Sequence, residues 1–293
     1  MLRKRLFGKT YSEISSEVEI KKESKVEKSE KVLEMETIRE LFGSFMEKKS
    51  TIIQNDYKIA YNSLKNLNYS IKTVEEFSKD LWKLQDLYTD IEDFKSKAGV
   101  FLSALINVRR EEDMCLDLRK LRDPLDYVGV FLQGGRIIIE GNVGDRLGHM
   151  MRSGRIEIKG NAGEKAGSDM YGGEIIIHGD AGHKAGHYMW GGKMEIKGNT
   201  GYMLGYNMLG GEIIIHGDTQ DMVGNWMTKG SIRIKGRAGE HVGLFMIGGE
   251  IHLDGEYTSV TERRKGGKIY HKGRLIEQKI GIPVRFDMIP FRT

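Results

Sequence analysis

A phrase that returns every 19 residues without a gap occupies the second half of the sequence and limits its fold more than any other feature. Its first clean copy starts at Gly134 and reads Gly-Gly-Arg-Ile-Ile-Ile-Glu-Gly-Asn-Val-Gly-Asp-Arg-Leu-Gly-His-Met-Met-Arg. Further copies start at Ser153, Gly172, Gly191, Gly210, Lys229 and Gly248. A period this strict identifies a solenoid in which each repeat forms one coil on the last.

Columns through this register give each position a task. Glycine holds three of them, beginning at Gly135, Gly141 and Gly148. It suits corners that need a positive φ or close backbone stacking. Between the first two columns lies a strand of period-2 character. Ile137 and Ile139 with their counterparts point one way, and the column Ile138, Glu157, Ile176, Glu195, Ile214, Arg233, His252 points outward. Coil-on-coil stacking of such strands gives parallel pairing about 4.8 Å apart. Small residues from Val143 to Ala238 and a wall from Leu147 to Val242 complete the core. The ladder Met151, Met170, Met189, Met208, Met227, Met246 fills it, since a thioether metal site would need a local cluster instead of a line. The pattern predicts a right-handed parallel β-helix of roughly eight coils. Its entry coil is expected over Leu116–Gln133 and its exit coil over Gly266–Gly273.

The chain before the repeat differs in character. Residues 1–35 hold a mixed-charge run, Lys21 to Lys31, that reads as a flexible lead-in or a frayed helix. Residues 36–112 show helical periodicity: Ile38, Leu41, Phe42, Phe45 and Met46 form one stripe, and Tyr57, Tyr61, Leu64 and Leu67 a second. Thr73 and Glu76 are spaced as a capping box that opens a longer helix, and Val100–Val108 is a fourth apolar segment. The β-helix is assigned to residues 113–278. The tail 279–293, with Pro283 and Pro290, leaves the pattern and is expected to cap the open end.

Composition excludes several functions. The net charge of +4 argues for neither a nucleic-acid nor a membrane surface, and no transmembrane span or signal peptide is evident. A single cysteine, Cys115, excludes internal disulfides, tetrathiolate zinc and iron–sulfur ligation within the chain. It is read as a small buried residue, and the chain as cytoplasmic. No nucleophile elbow, His-Glu-x-x-His or phosphate loop occurs.

Two constellations remain. The column Asp145, Glu164, His183, Tyr202, Asp221, Glu240 places Glu164 one coil from His183, an acid–base pair or a solvated charge ladder. His183 and His187 flank a turn but lack a third metal ligand, and His178 and His216 lie two coils apart. Of the aromatics Tyr171, Trp190, Trp226 and Phe245, only the last two are read as sharing a column, so no binding wall is expected. Catalytic, cofactor and metal residues are therefore assigned as none.

The phrase Gly-Gly-x-Ile-x-Ile-x-Gly-x-x-Gly-x-x-x-Gly-x-x-Met resembles the glycine-motif β-helix shared by two groups. One is the C-terminal domain of the glutamate synthase large subunit; the other is the β-helical subunit of archaeal formylmethanofuran dehydrogenase. The resemblance covers about half the chain. It implies a structural and docking module beside catalytic parts that carry flavin, iron–sulfur, molybdenum or tungsten chemistry, and it brings no catalytic residue to these positions. The expected role is a non-catalytic subunit or module of a multi-subunit oxidoreductase, with protein subunits or a second copy as partners. The alternative is an independent hydrolase or polysaccharide-acting enzyme using the outer face. The alternating Ile138, Ile176 and Ile214 are expected to mark the docking wall, covered by the chain's own helices or by a partner.

Overall fold

A computed structural model describes residues 34–277, apart from 50, 51, 90, 92, 110 and 111. The lead-in before residue 34 and the tail expected to cap the far end lie outside the described residues. Four helices come first: α1 over residues 34–46, α2 (Ile53–Leu64), α3 (Ile71–Leu87) and α4 (Phe94–Val108). Glu34 and Met35, assigned by sequence to the lead-in, are already helical, and Met35 is buried. The N-cap of α3 is Ser70, not Thr73, its Oγ accepting the Thr73 N–H at 3.2 Å. No helix among the described residues is long and apolar enough to cross a membrane.

Ten strands follow in one sheet, paired in chain order. They are β1 (Asp113–Asp117), β2 (Gln133–Glu140), β3 (Ser153–Ile158), β4 (Glu174–Ile177), β5 (Lys193–Ile196), β6 (Glu212–Ile215), β7 (Ser231–Ile234), β8 (Glu250–Leu253), β9 (Lys268–His271) and β10 (Arg274–Leu275). β1 to β9 pair in parallel, and β10 turns back antiparallel onto β9. From β3 to β8 every residue faces the one 19 positions on, as Ile156 faces Ile175. A second ladder of bridges joins Val143, Ala162, Ala181, Thr200 and Thr219. The chain is a parallel β-helix preceded by a small helical region.

The glycine columns hold the coils in register. Gly173 has φ +88°, and a β-carbon there would lie 2.5 Å from the Met151 methyl of the preceding coil. The same contact joins Met170 to Gly192 and Met227 to Gly249. In the other direction, a β-carbon at Gly148 would lie 2.6 Å from Cδ1 of Ile175. All six ladder methionines are fully buried, and each of these close approaches puts a core side chain where the facing glycine has none.

The first coil departs from the register. Asp113 faces Arg136, 23 residues on, whereas Gly144 donates to the Leu125 carbonyl at the regular 19. Four extra residues therefore lie between Leu118 and Leu125, and the entry coil begins at β1 instead of Leu116. The buried Gln85 of α3 holds this loop: its Oε1 accepts the Arg122 N–H at 2.9 Å and its Nε2 donates to the Asp123 carbonyl at 3.1 Å.

The helices cap the N-terminal end of the solenoid and do not lie along the isoleucine wall. A β-helix end exposes unpaired backbone groups that must be satisfied. Here helix side chains satisfy them. Glu75 and Ser78 of α3 accept the N–H groups of Cys115 and Asp117 at 2.8 and 3.1 Å. On α4, Ser103 Oγ accepts the Gly129 N–H at 2.9 Å and lies 3.0 Å from the Tyr127 carbonyl. Asn107 donates to Val130 and accepts from Gln133, both at 3.2 Å. A β-carbon at Gly99 would lie 1.8 Å from the Asp126 carbonyl oxygen, so only glycine lets α4 sit this close.

Two substitutions test the cap by chemical denaturation. Gly99→Ala should cost about 2–3 kcal/mol or more through overpacking against backbone. Ser103→Ala, which strands the buried Gly129 N–H, should cost about 1–3 kcal/mol. A loss below about 0.5 kcal/mol in both variants would mean that the helices do not cap the coil.

Candidate functional site

Inward residues divide the outer surface of each coil into three faces, and each face has its own chemistry. The strand face is the one expected to dock a partner. Ile176 in its centre is only 8% exposed, and Ile138 and Ile214 are half-buried. Glu157 is bonded by Lys159, by Arg136 at 3.0 Å and by His178 at 3.1 Å. Two coils on, Glu195 repeats the motif with Lys197 and with His216 at 2.7 Å. The wall is an ionic lattice with apolar residues set into it. His178 and His216, which share a column, each serve their own glutamate.

These bonds hold both carboxylates well below the usual range. Lysine donation comes first in each case, from Lys159 to Glu157 and from Lys197 to Glu195, and each pKa is brought to about 2.

The second face carries the Glu164–His183 column. Its side chains cap the backbone of the next coil. Asp145 accepts the Glu164 N–H at 2.8 Å, His183 Nδ1 accepts the Tyr202 N–H at 3.1 Å, and Asp221 accepts the Glu240 N–H at 2.8 Å. Asn142, Asn161, Asp180, Asn199 and Asp218 do the same one corner earlier. The His183 ring lies 3.9 Å from the Tyr202 ring, and among the described residues no hydrogen bond or ion pair joins Glu164 to His183. The proximity expected from the register does not produce an acid–base contact. Further along, Tyr202, Asp218, Thr219, Asp221, Arg237 and Glu240 line an open groove of about 760 Å³.

The third face flanks the methionine ladder and is rich in aromatics. Tyr171 and Trp190, placed by the sequence reading in different columns, are 19 residues apart and stack at 6.1 Å and 16°. Arg152 sits over the Tyr171 ring at 6.0 Å, and Leu209, Thr228 and Ile247 continue that column. The neighbouring column holds Tyr188, then Trp226 and Phe245 at 4.9 Å. His187 lies parallel to Tyr206 at 5.5 Å and edge-on to Tyr188 at 4.5 Å. Tyr171, Tyr188, Trp190 and Ile247 are 40–54% exposed, half of the exposed large hydrophobics among the described residues.

A basic column, Arg146, Lys165 and Lys184, edges this face. Neither lysine has an ion-pair partner among the described residues, whereas Lys159 and Lys197 of the strand face are both paired. His187 feels the column. Burial lowers its proton affinity most, Asp169 opposes this, and Lys165, Lys184 and Arg146 lower it further. His149 Nδ1 lies 2.8 Å from Ser168 Oγ and 3.5 Å from Asp169, with its affinity also lowered by burial. Both contacts fall on the same ring nitrogen and Ser168 is buried, so the three do not form a relay to an exposed hydroxyl.

Among the described residues no group of three His, Cys, Asp or Glu could hold a metal ion. Cys115, read as buried, is exposed on β1, because Met114 and Leu116 take the inward positions on either side of it. Partial burial raises its thiol pKa, and the charges of Glu140, Glu75 and Asp117 add to this. Comparison with protein-family models gives no match, and no curated protein matches the chain significantly.

The strand-face carboxylates set an acid limit. Their folded pKa lies below the ordinary 4.5, so their contribution is complete above that value and is lost as pH falls towards about 2. Thermal melts of the wild type should steepen their decline across this window, and Glu157→Gln with Glu195→Gln should flatten it. Parallel pH profiles for the two proteins would show that the lattice adds nothing to acid stability.

Proposed function

We propose that the chain is a non-catalytic structural and docking subunit, or module, of a cytoplasmic multi-subunit oxidoreductase. Its counterpart is the β-helix of formylmethanofuran dehydrogenase or of the glutamate synthase large subunit, which its glycine phrase resembles. The observation that supports the reading most is the concentration of exposed aromatics on one face of a rigid solenoid. Contiguous exposed apolar surface of this kind marks interaction sites. A second support is the engagement of Asp145, His183 and Asp221 in backbone capping, which leaves the best acid–base column with structural work.

The groove beside Tyr202, with Asp218, Asp221, Arg237 and Glu240, favours the alternative of a polysaccharide-acting enzyme, since carboxylates and an aromatic ring are the groups such a site uses. One experiment separates the two. The tagged full chain, purified under mild conditions from the organism that encodes it, should co-elute stoichiometrically with proteins that carry flavin, iron–sulfur or molybdopterin absorbance. Elution alone, with polysaccharide cleavage abolished by Asp221→Asn, would replace the docking reading with the enzymatic one.

A further inference from the structure

The aromatic face has a shape and an edge that specify what can lie on it. Its exposed columns run from the coil of Arg152 to the coil of Ile247, five coil spacings, or about 24 Å. Two outward columns flanking an inward methionine make it about 10 Å wide. That footprint, about 240 Å², is far below the ~800 Å² per partner of a stable globular interface, so a second copy laid against it would be poorly held. It matches one α-helix of about 16 residues, whose diameter is about 10–12 Å and whose turns rise about 5.4 Å against a coil spacing of about 4.8 Å. Each helical turn can therefore meet one coil along most of the face.

The chain already seats a helix at the head of this face. The column of Tyr188 and Trp226 begins with Phe131, and Tyr57 of α2 packs on the Phe131 ring at 4.9 Å with Tyr61 stacked behind it at 5.9 Å. Beyond Phe131 the column runs on with no helix over it among the described residues. Along its edge Lys165 and Lys184 stand without ion-pair partners beside Arg146.

We propose that the face from Arg152 to Ile247 is the seat of an amphipathic helix contributed by a partner subunit. The helix lays an apolar stripe on Tyr171, Tyr188, Trp190 and Ile247 and turns an acidic flank towards Lys165 and Lys184. The proposal rests on the docking reading above and names its surface and the chemistry of its partner. Apolar anchors supply affinity, and the lysine edge fixes which way round the helix lies.

The test places the photo-crosslinking residue p-benzoylphenylalanine at Trp190 in the full-length chain, in cells of the encoding organism, with the same residue at Glu212 on the strand face as control. Irradiation should join position 190 to a peptide of another protein with apolar residues at i, i+3 or i+4 and i+7 and acids on one flank. The yield should fall about tenfold in the Lys165→Glu, Lys184→Glu background and persist with arginine at both positions. Crosslinks into residues 1–33 of the same chain, into a second copy, or into a partner peptide without that pattern would each overturn the proposal. So would silence at position 190. If position 190 stays silent while the chain still co-elutes with redox subunits, only this surface assignment fails. A chain that elutes alone removes the docking reading with it.

Discussion

The interlock between coils depends on side chains that occupy space left by glycine. Met151 fills the position of a β-carbon at Gly173, and Ile175 does the same at Gly148. Each coil is thus both peg and socket for its neighbours, and the lock is renewed at the same positions of every turn. This is why the period cannot drift. An insertion of one residue would carry a methionine past its glycine and bring a β-carbon into a filled site, a clash that a packed interior does not absorb. The one described departure of several residues, between Leu118 and Leu125, falls in the first coil, which has helices instead of a coil on its other side.

That boundary shows how a one-dimensional repeat ends. Within the solenoid, N–H and carbonyl groups bond to the coil above and below, and at its start half of them have no coil to meet. Helices satisfy their own backbone internally and so cannot extend the ladder, yet their side chains can imitate one. Glu75, Ser78, Gln85, Ser103 and Asn107 act as a substitute coil, offering donors and acceptors where strand backbone would have been. At the other end β10 folds back on β9 through a turn in which Lys272 and Gly273 both have positive φ.

The repeat was legible because its columns are chemically pure: isoleucine and methionine inward, glycine at corners. The period, strand direction and core could be read from that purity. Two other periodic features were not. Arg146, Lys165, Lys184, Met203, Met222 and His241 form one left-handed column, and Met150, Asp169, Tyr188, Asn207, Trp226 and Phe245 form another, at φ between 51° and 62°. Glycine is the usual sign of such backbone, and here the residues are mixed. The conformation is held by tertiary context: each of these N–H groups turns towards the next coil, as Arg146 does to the Glu164 carbonyl at 2.7 Å and Tyr188 to the Tyr206 carbonyl at 3.0 Å. The cap was hidden for a related reason. Gln85, Ser103 and Asn107 look like ordinary helical polar residues until a ladder edge is set against them. The stacking of Tyr171 on Trp190 was available from the 19-residue spacing and was missed by misassigning the column.

Outward positions answer to a different constraint from inward ones. With core and corners fixed by the interlock, residues on the three faces are free to vary as far as the fold is concerned, and the strand face shows what that freedom allows. Its apolar Ile138, Ile176 and Ile214 are interrupted at alternate coils by Glu157, Glu195 and Arg233, and the glutamates gather lysine, arginine and histidine around them. Such a lattice keeps a long parallel sheet from presenting a continuous apolar surface to other molecules. The aromatic face lacks this protection. Its ion pairing is confined to His149 with Asp169 among the described residues, and its lysines stand at the edge instead of between the rings. A solenoid that shields one wall with charge and leaves rings exposed on another has separated the surface that must stay free from the surface that is available for contact. The core requires no such contrast, so its cause lies outside the fold.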